Sequence, residues 1–264
     1  MTFQGLIAID LDGTLLDVNG HYSSATRDYL RQLTPRGYGV VLATGRPYRA
    51  VKAIYEDLGI HAPVICYNGA LVFHPDEPDF PALEAKFSQD EVIDIYRNTR
   101  DIVIRFMAES STRVYIDEED ERLRRYFPYE GMELSQGNFA KTIKEDVFTL
   151  LFRSDKNEEL SARIEGRYEN IAWRGWSGGN YSELFVPSAH KGTALTYLMD
   201  YYGLSQDKVF AFGDASNDVE MLRVSGHPFA MKGNRTPHLL SIFPQTKNPV
   251  DEDGVMLTLQ ELLG

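Results

Sequence analysis

The chain has 264 residues, enough for one large or two medium domains with a real core, so folding needs no disulfide or metal staple. Its 43% apolar content excludes a disordered composition, its single cysteine (Cys66) excludes a disulfide-stapled secreted scaffold, and no apolar run approaches the roughly 18 residues of a membrane helix. The formal net charge of −12 disfavours nucleic acid and anionic membranes as partners, and with no signal-peptide pattern ahead of Arg27 a cytoplasmic globular protein is expected.

Leu6 to Ile9 reads as a buried strand, followed by a polar loop from Asp10 to His21. Ser23 or Ser24 caps a helix running through about Gln32, which Pro35 and Gly37 end. Gly39 to Ala43 is a second buried strand. Pro47 suits the first turn of a helix ending near Gly59, with Val51, Ile54, Tyr55 and Leu58 on one face. Val64 to Cys66 is the third strand. Continuous apolar strands alternating with helices predict a parallel sheet covered on both faces.

The middle of the chain has a different pattern. Ser88-Gln89-Asp90-Glu91 is a capping box opening a helix with Val92, Ile95 and Tyr96 on one face. Half-buried strands are expected at Ile102 to Met107, Val114 to Ile116 and Val147 to Phe152, and Glu118 to Arg125 reads as a solvated, charge-laced helix face. Asn157 to Arg167 reads as a helix, and Trp173 to Val186 as a hairpin turned at Ser177-Gly178-Gly179-Asn180. Trp173 and Trp176 are expected to pack within this unit. The alternation of the first third then returns, with a helix at Thr193 to Tyr202, a strand at Val209 to Phe212 and a helix at Asp218 to Val224. His227 reads as a loop residue before a short strand at Phe229 to Met231, and two short helical patterns finish the chain. Boundaries near Pro81 and Pro187 make residues 83–186 an α+β insertion into a discontinuous α/β domain of residues 1–82 and 187–264.

The strongest chemical signal is Asp10-Leu11-Asp12-Gly13-Thr14, directly after the first strand, because binding sites in open parallel sheets lie at the carboxyl ends of strands. Two carboxylates roughly 4 Å apart repel by about 4 kcal/mol at an effective dielectric of 20, so something must neutralise them. A second acidic run, Gly213-Asp214-Ala215-Ser216-Asn217-Asp218, follows a strand in the same topological position. Oxygen-only ligands from two such loops suit a hard cation, with Mg²⁺ the natural choice. As turn and cap residues, with Asn217 and Glu220 opening a helix, either cluster alone has a plain structural account. Two clusters at strand ends are harder to explain that way. Thr44-Gly45-Arg46 also follows a strand, where a hydroxyl and free N–H groups can hold a phosphate oxygen or simply cap a helix. Lys191 precedes a helix, either as a surface charge or as the cation beside an acidic phosphate site. Arg46 is open between a functional role, reaching a phosphate or the inserted unit, and a structural salt bridge. His190-Lys191-Gly192-Thr193 is not a P-loop, because Val186 occupies the position of the required glycine. The six histidines show no paired metal-ligand spacing.

Taken in order, Asp-x-Asp-Gly-Thr, Thr-Gly-Arg, Lys and Gly-Asp-x-x-Asn-Asp resemble the haloacid dehalogenase superfamily over the whole chain. The long gap between Thr44 and Lys191, with Asn68-Gly69-Ala70 after the third strand, resembles its Cof-type phosphatase branch. His190 departs from the Ser that many relatives place before the lysine. The resemblance implies a Rossmann-like, doubly wound parallel sheet core with the inserted unit as a cap that selects substrate and closes as a lid. It implies Asp10 as nucleophile forming an aspartyl phosphate, and Asp12 as acid for the leaving alcohol and then base for water. Mg²⁺ would be held by Asp10, the Asp12 backbone carbonyl and Asp214. Thr44, Gly45 and Lys191 would hold the phosphoryl group, and Asn217 would orient it or Lys191. Asp218 would support the metal shell through water, with Thr14, Arg46 and Asn68 in supporting positions. The expected function is Mg²⁺-dependent hydrolysis of small phosphomonoesters, sugar or polyol phosphates among them, with no nucleic acid or membrane partner. A phosphomutase of the phosphomannomutase kind is the nearest alternative. A phospho-acceptor like a receiver domain is more distant, since its aspartate would stand after the third strand, where this chain has Asn68. No motif speaks to oligomeric state.

Overall fold

The computed structural model describes residues 2–176, 179–234 and 236–264. The chain divides into two compact units, one of Met1–Leu83 with His190–Gly264 and one of Glu84–Ala189. The first unit opens on β1 (Gly5–Ile9), buried at every position, and helix α1 (Ser24–Leu33) with Ser23 as N-cap. β2 (Tyr38–Leu42), α2 (Lys52–Asp57) and β3 (Val64–Cys66) follow, and β4 (Leu71–Phe73) and β5 (Leu83–Glu84) extend β3 into a three-stranded sheet. The helix expected from Pro47 to Gly59 is broken: Tyr48–Ala50 forms a 3₁₀ turn, and Val51 departs from helical backbone at φ −122° before α2 begins. Its β-branched side chain is fully buried there, so packing outweighs helical continuity.

In the second unit the capping box at Ser88 forms as expected and opens α3 (Gln89–Thr99). β6 (Arg105–Glu109) and β7 (Arg113–Ile116) come next. The Ile102 N–H closes a turn on the Thr99 carbonyl, so β6 starts three residues later than expected. α4 (Glu121–Tyr126) is capped by Asp120, which is buried rather than part of a solvated face, although Arg124 and Arg125 are exposed. β8 (Glu133–Gln136) and α5 (Phe139–Thr142) have no counterpart in the sequence pattern: β8 is largely exposed and polar, with no apolar alternation to mark it. β9 (Thr149–Arg153), α6 (Asn157–Glu165), β10 (Ala172–Gly175) and β11 (Tyr181–Phe185) complete a six-stranded sheet in the order β10-β11-β9-β6-β7-β8. The expected hairpin is present as antiparallel β10 and β11; Ser177 and Gly178 of its turn lie outside the described residues. Tyr96, Phe106, Phe139 and Phe152 form the aromatic centre of this unit's core, with Trp173 packed against it.

The first unit resumes with α7 (Lys191–Tyr202), β12 (Val209–Gly213), α8 (Val219–Val224), β13 (His227–Ala230), α9 (Pro237–Ile242) and α10 (Gly254–Leu263). Its main sheet is wholly parallel in the order β13-β12-β1-β2, and a parallel bridge from Ala43 to Ile65 carries it on towards β3. His227 belongs to β13 rather than to a loop, held by ring stacking on Phe210 at 4.5 Å. β1 lies between strands from opposite ends of the chain, which places the loops after β1, β2 and β12 along one edge of the sheet. Among the described residues no helix is long and apolar enough to cross a membrane.

Candidate active site

Asp10 follows β1 directly, and its N–H continues the ladder to the Phe212 carbonyl at 3.0 Å, so the sheet itself fixes where its side chain emerges. The loop after it curls back through N–H bonds from Leu15 to the Asp10 carbonyl and from Leu16 to the Leu11 carbonyl. Gly13 lets that loop approach the second acidic run: at φ +92°, a Cβ there would stand 2.5 Å from Asp214 Oδ2. The two aspartate clusters read separately in the sequence therefore meet.

Lys191 is the first residue of α7, set by an N-cap in which the His190 ring accepts the Thr193 N–H and the Thr193 hydroxyl accepts the His190 N–H. His190 thus performs the capping that a Ser there would offer. The Lys191 side chain is fully buried, and its ammonium donates to Asp10 Oδ1 at 2.5 Å and to Asp218 Oδ1 at 2.7 Å. Burial opposes the ammonium's charge, but the two carboxylates more than offset this and hold its pKa above the usual lysine range. Asp218 pairs with Lys191 through one oxygen and accepts the Asp214 and Ala215 N–H groups, each at 3.0 Å, through the other.

Asp10, Asp214 and Asp218 each bring a carboxylate oxygen within 4.8 Å of the others. Burial, and then the nearby Asp218 charge, raise the Asp10 carboxyl well above the usual range and push Asp214 up to about 7. Asp214 Oδ1 is buried without a hydrogen-bond partner. An orphaned oxygen among crowded carboxylates, with Lys191 as the neighbouring cation, fits a hard divalent ion held by oxygen donors.

The remaining residues surround this cluster. Thr44 is buried after β2, and its hydroxyl accepts the Arg46 N–H at 3.1 Å. Gly45 lies against Asn68, where a Cβ would meet Asn68 Nδ2 at 3.0 Å. Asn68, held at φ +56°, accepts from Asn217 Nδ2 at 2.9 Å, so Asn217 is anchored to Asn68 and not to Lys191. Thr14 is buried with its hydroxyl unpartnered. Asp12 is half exposed and gripped in bidentate fashion by Arg46, whose Nε donates to Asp12 Oδ2 at 2.9 Å and whose Nη2 donates to Oδ1. Of the two open readings of Arg46, the salt bridge is present, made to the acid of the neighbouring motif. No local pattern signals that pair, nor the one between Lys191 and Asp218.

Comparison with known proteins gives this arrangement a family. A model of haloacid dehalogenase-like hydrolases matches residues 7–259. The 5-amino-6-(5-phospho-D-ribitylamino)uracil phosphatase YitU of Bacillus subtilis is 30% identical over 263 residues, covering 97% of this chain and 96% of its own length. An HMP-PP phosphatase of Serratia proteamaculans is 30% identical over 255 residues, covering 91% of this chain and 88% of its own. Among solved structures, a haloacid dehalogenase-like hydrolase from Bacteroides thetaiotaomicron superposes with a TM-score of 0.83 over 98% of this chain and 99% of its own at 22% identity, a likeness of fold. With these matches running nearly end to end, the chain belongs to the haloacid dehalogenase-like hydrolases and is a phosphatase of that family.

Proposed function

We propose that this phosphatase hydrolyses small phosphomonoesters, sugar and polyol phosphates above all, in a Mg²⁺-dependent reaction through an aspartyl phosphate on Asp10. The observation that carries the reading is the Asp10 carboxylate at the end of β1, oriented by the fully buried Lys191 ammonium at 2.5 Å. Asp10 attacks phosphorus while the bond to the ester oxygen breaks, and Asp12 gives its proton to the departing alcohol. Asp12 then takes a proton from the water that attacks the aspartyl phosphate, releasing inorganic phosphate and restoring Asp10. Arg46 grips both Asp12 oxygens at rest, so one of these contacts gives way when Asp12 carries the proton. Lys191, Thr44 and Gly45 receive the phosphoryl oxygens, and the Asn68–Asn217 pair holds the rim of that pocket. Magnesium bound by Asp10, the Asp12 backbone carbonyl and Asp214 would screen the crowded carboxylates and polarise a phosphoryl oxygen. The phosphorylated ribityl chain in the name of the YitU substrate supports the polyol class, and the unit Glu84–Ala189 is the source of selectivity.

The test is phosphate release from a panel of hexose, polyol and other small monophosphates, with phosphopeptides and 5′-phosphorylated DNA as macromolecular comparators. Turnover of the small compounds is expected, lost in EDTA and restored by Mg²⁺ but poorly by Ca²⁺, which prefers more ligands and longer bonds. Full activity in a chelated sample overturns the metal assignment. Isomerisation of a sugar phosphate without net phosphate release overturns the hydrolytic one.

A further inference from the structure

The six-stranded sheet of the second unit sets two like charges side by side. Arg105, the first residue of β6, lies directly across from Arg153, the last of β9, and Arg153 lies across from Tyr181, the first of β11. Like charges opposite one another on neighbouring strands are destabilising. These three side chains line a cavity of about 650 Å³ together with Arg122, Arg125 and Tyr126 from α4. That volume lies in the range of small-molecule sites.

Acidic neighbours neutralise the pair only in part. Glu118 takes Arg105 Nη2 at 2.8 Å. Asp120 Oδ2 stands 3.6 Å from Arg153 Nη1, but the Asp120 carboxylate already accepts the Tyr181 hydroxyl and the Arg122 and Leu123 N–H groups. Glu119 and Glu121 share the cavity wall, and Glu119 accepts the Tyr129 hydroxyl at 3.4 Å. The buried Nε–H groups of both Arg105 and Arg153 have no hydrogen-bond partner. Arg125 is exposed and makes no ion pair among the described residues. Unsatisfied buried donors cost free energy, and guanidinium groups are the side chains best matched to a planar oxyanion.

We infer that the second unit binds a small molecule through a carboxylate or phosphate group that bridges Arg105 and Arg153. Tyr126 and Tyr181 line the remainder of the site, with Trp176 packed on both rings and the Arg122 guanidinium over Tyr181. Every residue of this site lies within Glu84–Ala189 and none belongs to the catalytic cluster, so the site does not depend on the proposed reaction.

Both tryptophans of the chain, Trp173 and Trp176, belong to this unit, and Trp176 stacks on Tyr181 at 6.1 Å, so tryptophan fluorescence reports on the cavity. Metal-free full-length protein is titrated in separate arms with inorganic phosphate and with tricarballylate, a tricarboxylate. A saturable fluorescence change is expected in at least one arm, and the responding arm identifies the group that the site takes. Arg105→Gln and Arg153→Gln should each weaken binding at least tenfold, with far-ultraviolet circular dichroism unchanged. Arg153→Lys, which keeps the charge and loses the fork, should weaken it several-fold and replaces Arg153→Gln if that variant does not fold. No saturable change in either arm, or a change that survives both glutamine substitutions, overturns the inference.

Discussion

Asp10 and Lys191 meet at 2.5 Å in a site nearly closed to water, yet the fold depends on them unequally. Asp10→Asn keeps an acceptor for the ammonium and relieves crowding among three carboxylates. We expect phosphate release to fall by roughly 10³-fold or more, as for removal of a covalent nucleophile, with the melting temperature held or raised. Lys191→Met instead leaves Asp10 and Asp218 buried without their cation, and removing one partner of such a cluster costs about 3–5 kcal/mol. That variant should be inactive and melt well below the wild type in metal-free buffer. Equal melting of the two variants would mean that the cluster does not carry the charges assigned to it. The sequence showed where the motif residues stand because each follows an apolar run that becomes a strand, or opens a helix. It did not show how they pair. Asp218 reaches Lys191 across 27 positions and Arg46 reaches Asp12 across 34, and only the tertiary fold joins residues so far apart.

The elements that carry the site are held in place by close backbone approaches. Gly69, in the turn after β3, has φ +107°, and a Cβ there would stand 2.4 Å from the carbonyl carbon and oxygen of His190. That carbonyl group immediately precedes Lys191, so any side chain at position 69 must push the start of α7, and the ammonium with it, away from Asp10. Gly69→Ala combines a left-handed backbone penalty of about 1–2 kcal/mol with this displacement. A shift near 1 Å in a catalytic group is worth on the order of 100-fold in rate, so kcat should fall on that scale while the protein remains folded. Wild-type kcat in the purified variant would show that α7 is free to settle elsewhere. Buried elements such as β1, β2 and β12 were legible because unbroken apolar runs need a covered sheet. β8 was not, because its exposed residues carry no periodic pattern, and the break at Val51 was not, because burial of one side chain decides it.

At the scale of the whole molecule, the two units differ in how their contacts are distributed along the chain. The second unit closes its sheet and aromatic core within about a hundred consecutive residues, a size that commonly folds alone. The first cannot assemble until both ends of the chain are present, because β1 pairs with β2 on one side and with β12, about two hundred residues away, on the other. Local contacts form sooner and with less loop-closure entropy than distant ones, so the insertion should fold first and unfold as its own cooperative step. The placement of both tryptophans in the second unit makes the two steps separable. In a urea titration, tryptophan fluorescence follows the second unit and far-ultraviolet circular dichroism follows both, and we expect the two transitions not to coincide. The isolated segment 84–189 should melt cooperatively with an unfolding enthalpy of about 70 kcal/mol, the value for a domain of that size. Its fluorescence midpoint in urea should match that of the same unit in the full chain. Coincident transitions in the intact protein, together with an isolated segment that shows no cooperative melt, would mean that the insertion draws its stability from the parallel-sheet unit rather than from its own core.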